Sequence, residues 1–113
     1  MVARNNLLLA VPYPVESAIN KVGANLRTAR LRRKLTIEEV AEKIGTGARA
    51  VRAAENGKAS TGVAVYAALL WAYGLLPPFE ELAAPESDTE GLALTDIGKD
   101  ARARKARGLD NDF

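Results

Sequence analysis

The chain contains no cysteine and no histidine, and aromatic side chains make up only 5% of its 113 residues. Without thiolates or imidazoles there are no disulfides, none of the common zinc ligand sets, and almost none of the nucleophile-and-base pairs on which covalent catalysis depends. No catalytic residue, metal site or cofactor is therefore expected, and the chain is not read as an enzyme. Long apolar runs are missing too. Leu7 to Val11 falls far short of the roughly 20 residues that cross a bilayer, and neither a basic stretch of any size nor a small-residue cleavage site accompanies it. No membrane partner and no signal peptide are expected, which places the protein in the cytoplasm.

Net charge is only +2, but it is unevenly spread. From Lys21 to Lys58 ten basic residues stand against four acidic ones, whereas after Pro85 seven acidic residues outnumber five basic ones. A basic centre gains affinity for a polyanion by releasing its counterions, so nucleic acid is the natural partner, although charge alone equally fits a solvated helix face. Apolar residues make up 48% of the chain, enough for one modest core.

Periodicity organises the middle. Ile19, Val22, Leu26 and Ala29 recur at spacings of three and four, which predicts an amphipathic helix from about Val15 to Arg33. Thr36 and Glu39 have the spacing of a capping box, flanked by Leu35 and Val40 as a hydrophobic staple, and a short helix from Ile37 to Ile44 follows. Gly45-Thr46-Gly47 supplies a tight turn, and a further helix from Ala48 to Glu55 ends at Asn56-Gly57. Two short helices joined by a three-residue turn make a helix-turn-helix.

Beyond Ser60 and Thr61, either of which can cap, Val63 to Leu75 is apolar on nearly every side and is expected to be covered all round. Pro77-Pro78 ends it, and Phe79, Leu82 and Ala83 predict one more short helix. Residues 1–14 are read as an extended arm, because Pro12 and Pro14 exclude a helix interior. Residues 15–84 form the helix-turn-helix domain. Residues 85–113 are read as a disordered tail whose sparse apolar residues cannot offset the entropy of ordering.

Leu26-Arg27-x-x-Arg30, Leu35-Thr36-x-Glu38-Glu39-Val40-Ala41-Glu42-Lys43-Ile44-Gly45 and Glu55-Asn56-Gly57-Lys58 run without a gap through a segment that resembles the Cro and phage-repressor domains of the Xre family. The resemblance implies an all-α, five-helix fold in which the second and third helices form the motif and the third enters the major groove of double-stranded DNA. Carried over position by position, it makes Gly47, Ala48, Arg49, Arg52, Ala53, Asn56 and Lys58 the DNA-binding residues. Arg49 is the leading base reader, since a guanidinium can donate two bonds to guanine O6 and N7. Ala48 and Ala53 permit close approach, Asn56 and Lys58 meet phosphates, and Arg52 meets either a base or a phosphate. Val51 and Ala54 point inward, and Arg30 pairs internally with Glu55. Two positions depart from the family pattern: Ile37 stands where a phosphate-binding Gln is common, and Gly47 where a capping Ser is common.

Asp88-x-Glu90-Gly91-Leu92-Ala93-Leu94, the later basic run and the ending Leu109-Asp110-Asn111-Asp112-Phe113 resemble Xre proteins encoded beside HipA-like kinase toxins. That likeness implies an antitoxin and autoregulator. Leu109 and Phe113, framed by Asp110 and Asp112, read either as an apolar anchor for the kinase or as part of a solubilising tail. The alternatives are a free-standing Xre-type regulator and a purely protein-binding module. A nuclease would have only carboxylates to work with, and Glu38 and Glu39 are already accounted for by the helix dipole and the cap. A homodimer is expected because one recognition helix reads few base pairs, with Leu75, Leu76, Phe79 and Leu82 as its candidate contact and the segment Leu7 to Val15 as a second.

Overall fold

Thr36 opens its helix as its spacing from Glu39 requires. Its hydroxyl accepts from the Glu39 N–H at 3.1 Å, and the Glu39 carboxylate accepts from the Thr36 N–H at 3.0 Å. This reciprocal cap, with its bond from the Thr36 backbone leading, holds the Glu39 carboxyl below the usual carboxylate range. The computed structural model describes residues 6–108, which run through α1 (Asn6–Leu9), α2 (Tyr13–Arg32), α3 (Ile37–Ile44), α4 (Ala48–Glu55), α5 (Val63–Ala72), α6 (Leu76–Glu80), a single 3-10 turn at Pro85–Ser87, and α7 (Thr89–Gly108). No strand occurs among the described residues. The five expected helices are α2 to α6, but α5 ends at Ala72, before Pro77-Pro78, and both prolines lie inside α6, which leaves Leu82 and Ala83 outside it. The chain divides into two compact units between Phe79 and Glu80.

Within the first unit α4 lies at the centre, packed on α2, α3 and α5, while α3 also meets α5. Leu26 and Ala29 of α2, Val40 and Ala41 of α3, Val51 and Ala54 of α4, and Leu69 with Tyr73 close the core. The α2 seam differs from its sequence pattern at one turn, where Val22 is exposed and Gly23 is buried instead. The reason is a close approach of backbones. A Cβ on Gly23 would stand 2.5 Å from the Ala54 carbonyl oxygen and 2.7 Å from that of Glu55, so only glycine lets α2 cross the end of α4 at this depth.

Four successive helices, α2 to α5, end in the same hydrogen-bonded turn. After α4, for example, the Gly57 N–H donates to Ala54 at 3.1 Å and the Lys58 N–H to Ala53 at 3.0 Å. The corresponding pairs after α2, α3 and α5 begin at Lys34, Gly45 and Gly74. These are Schellman turns, and each places one residue in the left-handed region. Lys34, at φ 55°, is the position not filled by glycine, and its side chain gives it a steric cost of about 1–2 kcal/mol there.

Other expectations change as well. Residues 6–9 of the arm are helical rather than extended, and Pro12 and Pro14 do not prevent α2 from beginning at Tyr13. Pro14 sits in the first turn, where no intrahelical partner awaits its missing N–H. The α5 cap is Gly62, with neither Ser60 nor Thr61 bonding into it, and the helix is not covered all round: Leu69 is buried, whereas Val63 is 67% and Trp71 59% exposed.

In the second unit, residues 89–108 are helical instead of lacking regular structure, because Asp88 accepts from the Gly91 N–H at 2.9 Å and caps the run. The poverty of core foreseen for this segment remains, with Leu92, Leu94 and Ile97 all exposed. The anchor residues Leu109 and Phe113 lie outside the described residues, as do residues 1–5 of the arm.

Candidate nucleic-acid interface

The orientation of α4 is set by one buried guanidinium. Arg30 Nε donates to Glu55 Oε2 at 2.7 Å, Nη2 to Oε1 at 3.1 Å, and Nη1 to the Leu35 carbonyl at 2.9 Å. α2, the link into α3, and the last turn of α4 are thus tied at one point. The bonds to Glu55 hold the Arg30 pKa above its ordinary value, outweighing the opposing effect of burial. Arg30 is therefore internal, as its family position implies, and is withdrawn from the exposed charge.

Arg33 is withdrawn in the same sense, though it remains exposed. It donates to Ala29 O and Tyr73 O, both at 2.8 Å, with its guanidinium carbon 5.4 Å from the centre of the Tyr73 ring. One cation thereby satisfies orphan carbonyls at the ends of both α2 and α5.

With Val51, Ala54 and Glu55 buried, the opposite side of α4 carries the other residues at helical spacing. Arg49, Arg52 and Asn56 are exposed, while Ala48 and Ala53 are half-buried between them. Gly47 is exposed at the N-cap, where its extended backbone offers no side-chain bond, and Lys58 is exposed just past the closing turn. All seven sequence-predicted residues thus fall on α4 and its two flanking turns. At the turn after α4, a Cβ on Gly57, whose φ is 68°, would lie 2.8 Å from the Asn20 Cα and closer still to Asn20 Oδ1, so α2 also fixes where Lys58 leaves the helix.

The two arginines differ. Arg49 makes no hydrogen bond or ion pair among the described residues, so its full fork of donors is free. Arg52 donates from Nη2 to Glu38 Oε1 at 3.0 Å, across the turn that joins α3 to α4. Sequence reasoning missed this pair, since no helical or local period relates positions 14 apart and Glu38 already had an explanation in the dipole of α3. Ile37 also finds its account here: it is half-buried and packs against the core, so an apolar residue suits the position where the family often has Gln.

No group of acidic residues capable of holding a metal ion occurs among the described residues, and none of their helices is long and apolar enough to cross a membrane. Comparison with known proteins matches residues 21–83, more than half of the chain, to a family model described as a helix-turn-helix domain. No curated protein and no solved structure matches the chain.

Proposed function

Since the chain belongs to the helix-turn-helix domain family, and is thereby a DNA-binding transcriptional regulator, we propose that it is a sequence-specific repressor that reads the major groove with α4. The observation that carries this reading is the division of α4 into a buried side at Val51, Ala54 and Glu55 and an exposed, cationic side at Arg49 and Arg52. Arg49 has the exposure and the free donors for a bidentate bond to guanine. Ala48 and Ala53 add no bulk between helix and bases, and the first amides of α4, uncapped at Gly47, are available to a phosphate. Asn56 and Lys58 fix register on the backbone of the duplex.

The test compares two substitutions on a duplex selected from a randomised library. Arg49→Ala weakens binding to it by about 1–3 kcal/mol and relaxes the preference at one base position, whereas Lys58→Ala weakens all duplexes alike and flattens the salt dependence by about one unit of slope. An unchanged ranking of sequence variants after Arg49→Ala would remove Arg49 as the base reader.

The repressor acts as a homodimer. Support comes from apolar surface in the first unit, where α5 carries no charge and exposes Val63 and Trp71, Leu75 is 40% exposed, and Leu76 and Phe79 are half-buried; Leu82 is exposed in the second unit. Sedimentation without DNA at micromolar concentration reads the dimer mass directly.

A second partner is favoured by residues 88–113, which resemble the tails of HipB-like antitoxins and in which Leu92, Leu94 and Ile97 are exposed. On this reading the protein also restrains a HipA-like kinase encoded beside it. Calorimetry against that kinase, with full-length protein and with residues 109–113 deleted, tests the antitoxin role. The deletion weakens the complex by about 2 kcal/mol or more, the scale of a lost aromatic anchor, and leaves DNA affinity intact.

A further inference from the structure

The contact between Glu38 and Arg52 joins the two helices of the motif on their exposed side. Its side chains are 67% and 54% exposed respectively, and the pair stands on the face of α4 that carries Arg49 and Asn56. Two properties follow from its geometry. The pair has no net charge, so Arg52 in this position does not supply the unpaired cation that a phosphate attracts wherever the duplex lies. A single bond engages one of the two Nη2 hydrogens, so one of the two forks that share Nη2, with Nε or with Nη1, keeps both of its donors.

We infer that Glu38 is a positioning residue for DNA discrimination, holding Arg52 away from the phosphates and leaving its open edge for a base. The inference rests on the reading of α4 as the base-reading helix. An acidic side chain on a DNA-facing surface ordinarily costs affinity. Here that cost falls on every sequence, while the benefit of an oriented guanidinium is collected only where a base presents matching acceptors, guanine O6 and N7 above all. Glu38 thus trades general affinity for selectivity. The first turn of α3 can hold it in place because the Thr36–Glu39 cap fixes the backbone there.

The experiment uses the full chain, the library-selected duplex and a scrambled duplex of the same composition, titrated over a range of salt concentrations. Glu38→Gln is expected to raise affinity for the scrambled duplex about two- to fivefold, the range open to a surface ion pair. It is expected to steepen the plot of log affinity against log salt by up to about 0.9, one phosphate's worth, and to reduce the ratio of selected to scrambled affinity. In an Arg52→Ala background all three changes should disappear. Simple removal of a negative charge near DNA would persist in that background, as would a loss of α3 stability, which thermal melting of each variant reads separately. An unchanged ratio and slope, or changes that survive Arg52→Ala, would overturn the inference. Arg49→Ala is measured alongside. If no duplex is preferred, or Arg49→Ala leaves the preference untouched, the reading of α4 fails and the inference with it; if Arg49→Ala relaxes the preference and Glu38→Gln does not, the inference alone fails.

Discussion

α2 and α7 are both 20 residues long, yet they are helices for different reasons. α2 buries Gly23, Leu26, Ala29 and Arg30 along one seam and approaches α4 closely at Gly23. In α7 the large apolar residues Leu92, Leu94 and Ile97 fall at spacings of two and three, too irregular for a seam, and all three are exposed. The bonds seen along α7 are local: the Asp88 cap and a bond from Thr95 Oγ1 to Gly91 O at 2.9 Å. Local terms of this kind leave a helix of such length marginal in water, whereas a packed face makes it permanent. The comparison separates the tendency to be helical from the stability of a helix.

The largest way to break this difference is Glu55→Ala. It strands the Arg30 guanidinium in the interior without its carboxylate, and the expected loss is about 3–5 kcal/mol in urea unfolding of the first unit. A loss below about 1 kcal/mol would mean that water reaches Arg30 and that the pair does not organise α2 against α4.

Glycine to alanine in the two helices should have opposite signs. Gly23→Ala drives a methyl group into the Ala54 and Glu55 carbonyls and costs about 1–3 kcal/mol, measured by the same unfolding experiment. Gly98→Ala meets nothing within 4 Å, and by removing backbone entropy it should stabilise α7 by about 0.5–1 kcal/mol. Circular dichroism at 222 nm and amide exchange of residues 89–108 read this smallest effect. Equal signs would mean that α7 is packed as α2 is.

The motif was legible because its signals are short-ranged. The capping box at Thr36, the stop at Gly45 and the spacing of Val51 and Ala54 each lie within one or two turns, and every one of those elements stands where its residues place it. The Arg30–Glu55 pair, 25 residues apart, was readable only through family resemblance. What escaped depends on tertiary geometry. Gly23 has no side chain to register in a hydrophobic period, though it sits where α2 crosses the end of α4. Arg33 and Arg52 look like any other surface cations, yet one fastens two helix ends and the other is paired with Glu38. The helical form of residues 89–108 was missed because composition reports on core formation and says little about a well-placed cap.

The repeated closing turns of α2 to α5 also bear on how quickly this domain comes into being. Each helix carries its own stop, made by residues within one turn of its end, so a growing helix need not wait for distant partners to learn where to finish. Most of the remaining search is the docking of short, already delimited rods about α4. Small helical domains governed by such near-neighbour contacts fold on the order of microseconds to milliseconds, and a regulator of this kind would recover its DNA-facing surface within that time after each unfolding event.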